Sequence, residues 1–159
     1  MKRKNKILLL LTILGCLFCG NMSALAKENS FYEVPSTEVA ILQEKDDAAE
    51  ILSSPSLGGC RLGIGTASNG LSITFVTSAS HTADEIGVRN VMLQEKTWYG
   101  WKDIPASNYY TSNSDTYVGE IVYTSAEAGK TYRAYCTHYA KYGSTELTLY
   151  NETSNFVYN

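Results

Sequence analysis

Residues Lys130–Tyr142, reading KTYRAYCTHYAKY, constrain the fold more than any other stretch of this chain. Tyr132, Ala134, Cys136, His138 and Ala140 share one parity; Arg133, Tyr135, Thr137, Tyr139 and Lys141 share the other. A period of two with aromatic enrichment marks a β-strand whose two faces see different surroundings. Gly129 and Gly143 punctuate its ends. Its single cysteine offers a tie to another strand, and the rest of the chain beyond the leader reads as strands arranged around it.

The chain opens with Lys2, Arg3, Lys4 and Lys6, followed by an apolar run from Ile7 to Cys19 and then Ala24-Leu25-Ala26. A basic region, a short apolar core and a small-residue A-x-A site make a secretory signal peptide with cleavage after Ala26. The run is too short for a helix across a hydrocarbon core about 30 Å thick. A lipoprotein anchor at Cys16 is the alternative, because Ile13-Leu14-Gly15-Cys16 resembles a lipobox; Leu14 is bulky for that position, and Leu17 and Phe18 continue the apolar run. The leader carries off four cations and no anion, so the remainder is more negative than the −3 of the full chain. That balance excludes nucleic acid as a partner, since binding it needs a basic footprint, and argues against electrostatic attachment to anionic lipid. No second apolar run occurs, so the mature chain has no membrane span.

Cys60 and Cys136 remain after the leader is removed. In an exported chain the simplest reading of an even pair is an intramolecular disulfide. Two buried thiols or an intermolecular bridge are the alternatives, and a zinc site would need paired spacing that is missing here.

Three regions follow: residues 1–26 as signal peptide, 27–57 as a flexible tether, and 58–159 as the folded domain. The tether holds Pro35, Pro55 and the cluster Glu44-Lys45-Asp46-Asp47, with a partial helix from about Thr37 to Leu52 capped by Ser36. In the domain, Cys60–Ile64 and Leu71–Phe75 alternate as a first and second strand about a turn at Gly65–Gly70. Thr82–Gly87 predicts one short helical turn. Val88–Lys96 predicts a third strand with Val91 and Leu93 buried. Trp98-Tyr99-Gly100-Trp101 predicts a hairpin tip around Gly100. Tyr117–Thr124, Lys130–Tyr142 and Thr145–Tyr150 complete about seven strands, Leu147 and Leu149 pointing inward. Short strands with regular turn signals predict an all-β fold, a single antiparallel β-sandwich.

The stretches TADEIGVRNVMLQEKTWYGWKDI and YRAYCTHYAKYGSTE resemble small exported proteins of Gram-positive bacteria that form a family of unknown function. The features carrying this are Ala83-Asp84-x-Ile86-Gly87, a strand ending Gln94-Glu95-Lys96, Gly100-Trp101, and Tyr132-Arg133-Ala134 before the late cysteine. The resemblance covers roughly Cys60 to Asn155 and implies location and fold class but no site. The Tyr-rich late strand is also similar to those of immunoglobulin-like and fibronectin type III sandwiches, although Cys60 on the first strand departs from the immunoglobulin cysteine placement.

The catalytic inventory is thin. His81 lies near Asp84 and Glu85, which solvated loop residues explain better than a metal site. His138, on the inward parity, reads as a hydrogen-bonded buried histidine. Gly63-x-Gly65-x-x-x-x-Gly70 resembles a phosphate loop but lacks the following Lys-Ser/Thr and helix. No G-x-S-x-G elbow occurs. No cofactor and no metal are expected. Tyrosine is abundant, with 12 in the chain, and most of it fits half-buried sheet faces. Two groups are candidates for contact with a ligand: Trp98, Tyr99 and Trp101 at the hairpin tip, and Tyr135 and Tyr139 on the outward parity of their strand. Adjacent Trp98 and Tyr99 would point to opposite faces of a strand, so at least one should be exposed unless covered. The expected function is a non-catalytic extracellular binding or adhesion module with a glycan or protein partner at the cell surface. The alternatives are a small secreted hydrolase with an unrecognised site and a structural or immunity partner of another secreted protein. Sequencing the N-terminus of the chain recovered from culture medium tests the leader: it should begin at Lys27, and a chain kept in the cytosol or starting at a lipidated Cys16 contradicts the expectation.

Overall fold

The computed structural model describes residues 30–35 and 54–159. The leader, the lipobox and the helix considered over 37–52 lie outside the described residues. Every regular element described is a strand, and every pairing is antiparallel. The fold is therefore all-β, as the alternating sequence requires.

One strand organises it. β3 runs from Gly70 to Thr97, 28 residues, where the sequence predicted two strands separated by a helical turn. Its first half lies between β2 (Arg61–Ala67) and β5 (Tyr109–Tyr123). Its second half lies between β5 and β6 (Thr131–Tyr142), and its end pairs with β4 (Gly100–Pro105). β7 (Thr145–Glu152) continues beyond β6, β8 (Phe156–Val157) pairs with the start of β6, and β1 (Phe31–Val34) pairs with the end of β5. All eight strands thus belong to one hydrogen-bonded sheet. The sheet curves around its own inner face, since β2 comes against β6 and β7 from the far side.

The inner face is one continuous apolar cluster. Leu71, Ile73 and Phe75 from the first half of β3 meet Ile86, Val88, Val91 and Leu93 from the second, with Ile121, Tyr132 and Ala134 between them. The inward set predicted on β6, Tyr132, Ala134, Cys136, His138 and Ala140, is wholly solvent-excluded, each at 0%. Each large aliphatic or Phe side chain so buried contributes on the order of 1.5–3 kcal/mol.

Two irregularities let β3 serve both halves. Between Ser78 and Ala83 its register against β5 shifts, and between Arg89 and Met92 its register against β6 shifts. The second shift is a bulge of one residue at Asn90, whose φ is +52°. Asparagine tolerates that left-handed conformation better than most residues. The extra residue resets the parity, so that after Val88 the next buried side chain is Val91.

Four expectations are corrected. Thr82–Gly87 is strand, because its backbone is engaged by β5 and, from Glu85 onward, also by β6, and a helical turn would forfeit that ladder. β5 begins at Tyr109, well before Tyr117. Phe31–Val34, inside the segment read as a tether, is a strand whose Phe31 ring sits 5.1 Å from Tyr123. Leu149 is 38% exposed: it has inward parity, but β7 ends the hydrogen-bonded order of the described strands.

Gly87 shows how tightly the second half of β3 is held. It pairs with Tyr110 on one side and Tyr139 on the other. A Cβ built there would lie 2.6 Å from Tyr110 Cα and also collide with the Tyr109 carbonyl oxygen. Gly87→Ala should therefore cost about 1–3 kcal/mol as overpacking and lower the melting temperature by at least about 4 °C. Gly65→Ala, whose added Cβ meets nothing within 4 Å, is the control, and equal melting of the two variants would contradict this packing.

Candidate functional site

The β3–β4 hairpin closes on the pair Thr97–Gly100, leaving Trp98 and Tyr99 as a two-residue turn. The Thr97 hydroxyl donates to the Gly100 carbonyl at 3.0 Å, and Gly100 enters β4 at φ +148°, a conformation that favours glycine. The tip is therefore Trp98-Tyr99 itself, with Gly100 as its hinge into β4. Turn centres are usually Gly, Asn, Asp, Pro or Ser, each for a conformational reason. Two large aromatics there gain nothing for the turn. Trp98 is 95% exposed and Tyr99 68%. Their rings meet edge to face, with centroids 5.2 Å apart and planes at 85°, so they brace each other in solvent without packing on the sheet.

Trp101 is different. It is half-buried on the sheet's outer face. The Lys96 ammonium lies 4.9 Å and the Arg133 guanidinium 4.3 Å from its ring centroid, cation–π contacts that occupy the indole. Arg133 is in turn fixed by Gln94 at 2.7 Å and Glu152 at 2.7 Å.

The second aromatic group, Tyr135 and Tyr139, does not form an exposed platform. Tyr139 is only 5% exposed: its hydroxyl donates to Glu85 Oε1 at 2.6 Å and Arg89 lies over its ring at 5.3 Å. Burial, then the Glu85 carboxylate, holds its phenol above the ordinary range. Outward parity does not mean exposure here, because strand neighbours fold long side chains across the ring. Tyr135 is half-buried and leans on the exposed Tyr150, with centroids 5.9 Å apart.

Cys60 and Cys136 are both free thiols, which corrects the disulfide expectation. Cys136 is occupied otherwise, its Sγ lying 3.6 Å from His138 Nε2. His138 Nδ1 lies 2.7 Å from the Thr77 hydroxyl, which also reaches the Gly87 carbonyl at 3.2 Å. A hydroxyl has one proton and a carbonyl can only accept, so Thr77 donates to Gly87 and accepts from His138 Nδ1–H. That leaves Nε2 as the acceptor for the Cys136 thiol. Burial pushes the Cys136 thiol up to about 12, helped by neighbouring Cys60, and pushes His138 down to about 4. At neutral pH both are uncharged, the opposite of the thiolate–imidazolium pair a cysteine nucleophile requires.

The sequence reading missed Thr77 and this three-member chain. The shared parity of Cys136 and His138 was the available signal, but Thr77 pairs in register with Tyr117 of β5 and meets His138 only across the interior of the sheet. A cleft of about 610 Å³ beside β1 and β5 is lined by Glu33, Tyr110, Ser114 and Tyr117 among others, and Glu33 is the one charged side chain among the described residues that line it. Among the described residues, no group of three or more His, Cys, Asp or Glu could hold a metal ion, and His81 is an exposed residue bonded to the Ser80 hydroxyl at 2.9 Å.

No family model matches the chain, and neither a curated protein nor a solved structure matches it. The class is set by the fold alone: an antiparallel all-β domain presenting an aromatic hairpin tip.

His138 makes the fold pH-sensitive. Between about pH 6.5 and pH 4 an unfolded chain binds a proton at this imidazole that the folded one refuses. Stability therefore falls as pH drops through that window, by on the order of 3 kcal/mol. Denaturant unfolding across the window should show that loss, and a folded His138→Gln variant should show a correspondingly shallower one; equal slopes would refute the assignment.

Proposed function

We propose that this chain is a secreted bacterial protein acting as a non-catalytic extracellular binding or adhesion module, with the β3–β4 tip as its contact surface. The observation that carries the reading is the placement of Trp98 and Tyr99, both exposed, at the two centres of a turn that needs neither. Local chemistry that works against an element is expected where function overrides folding. Burying two such rings on a partner removes about 150–250 Å² of surface each, the kind of aromatic anchor that dominates binding energy. The leader, with its A-x-A site, supports export, and the likeness of the A-D-x-I-G and Tyr-Arg-Ala segments to exported Gram-positive proteins agrees with it. The neutral, buried Cys136–His138 pair supports a non-catalytic role, because this pair presents no thiolate to solvent.

The test is retention of the protein on whole cells, cell-wall and host-glycan preparations. Exchanging both tip residues, Trp98→Ala with Tyr99→Ala, should reduce retention by at least about tenfold. Melting should stay within about 0.5 kcal/mol of the parent, as for other surface changes. Unchanged retention would sink the reading.

A further inference from the structure

We propose that the partner of the tip is the surface of a lipid bilayer, into whose headgroup region Trp98 and Tyr99 insert. This rests on the reading of the tip as the contact surface and names what it contacts. Three observations point to lipid.

The first is shape. The tip is a convex two-residue turn with its rings nearly perpendicular, at 85°. A sugar-stacking platform would present an open ring face with polar groups beside it, and the ring that does have polar neighbours, Trp101, is already engaged by Lys96 and Arg133. The second is size. Two aromatic side chains offer at most about 500 Å², well under the roughly 800 Å² per partner of a stable protein interface. A bilayer imposes no such requirement for complementary area, and the amphipathic rings of Trp and Tyr favour the membrane–water boundary.

The third is the order of chemistry along the hairpin. Lys96 and Trp101 pair one step below the closing Thr97–Gly100 pair, and Glu95 and Lys102 pair the next step down. At about 3.4 Å per residue, Lys102 lies roughly 7 Å behind the closing pair. Rings buried about 5–10 Å into the boundary between headgroups and acyl chains would leave these ammonium groups at the level of the lipid phosphates. Two of the acids nearby are ion-paired, Glu95 with Lys130 at 3.1 Å and Glu152 with Arg133 at 2.7 Å, while Asp103 accepts from the Gln94 amide at 2.6 Å and keeps its charge, one carboxylate against the two ammonium groups. Among the described residues, neither Lys96 nor Lys102 forms an ion pair. The balance at the tip therefore suits phosphate even though the whole chain is acidic.

The decisive experiment uses the full chain carrying Trp101→Phe. The chain has 2 tryptophans, so Trp98 becomes the sole indole and reports on the tip whatever the apolar leader does. The variant is mixed with phosphatidylcholine vesicles, with and without brominated acyl chains. The expected result is a blue shift of Trp98 emission and its quenching by the brominated lipid, lost when Tyr99 is also replaced by Ser or diminished by about tenfold in lipid concentration required. Trp98 emission that keeps its solvent-exposed wavelength and is not quenched overturns the proposal. In that case, retention on cells that still depends on Trp98 would leave the binding-tip reading standing with a non-lipid partner. Retention indifferent to Trp98 would remove both.

Discussion

The structure depends on the backbone hydrogen bonds of a single strand. Among the described strands β3 alone pairs with all four of β2, β4, β5 and β6, and without it the remaining pairings are β1 with β5 and β6 with β7 and β8. Its two register shifts are what allow one continuous backbone to line both halves of the core. A regular strand of that length would keep a fixed parity and twist away from one of its partners. The irregular stretch at Ser78–Ala83 and the bulge at Asn90 each change that parity, so odd-numbered Phe75, even-numbered Ile86 and Val88, and odd-numbered Val91 and Leu93 all point into the same cluster.

Much of this was legible from residue order. The alternation in Lys130–Tyr142 gave the inward set of β6 without error, because a strand central to a curved sheet has one dry face and the sequence must match it at every second position. The hairpin at Trp98–Gly100 was legible for the same local reason. What failed were features decided by distant partners. Thr82–Gly87 has helix-compatible residues, yet β5 and, over its last residues, β6 claim its backbone. Tyr139 has outward parity, yet Arg89 and Glu85 cover it. Cys60 and Cys136 were an even pair awaiting a bridge, yet the thiol of Cys136 faces a histidine on its own strand. For Thr82–Gly87 and Tyr139 the missing information was which strands lie side by side, and a single sequence carries that only weakly.

The two constellations of the molecule divide its chemistry cleanly. Thr77, His138 and Cys136 are polar and sealed inside, where each satisfies the next and none reaches solvent. Trp98 and Tyr99 are apolar and outside, where the sheet gives them no shelter. A core that holds polar groups this way is specific in its packing, since a half-satisfied network would be worse than an apolar one. The exposed tip is the complementary case: surface that folding alone does not explain.

The position of β6 has a consequence for how the chain reaches its native state. The second half of β3 finds its inner neighbour only in residues 131–142, and Phe31 finds Tyr123 only after most of the chain between them has been made. The long-range pairings that seal the core can therefore close only once residues 131–142 are present. Pairings so distant in sequence close slowly, on the millisecond-to-second scale of non-local β folds. Until those residues are available the polypeptide can hold local hairpins, such as β2–β3 and β3–β4, but not the dry interior that fixes their arrangement.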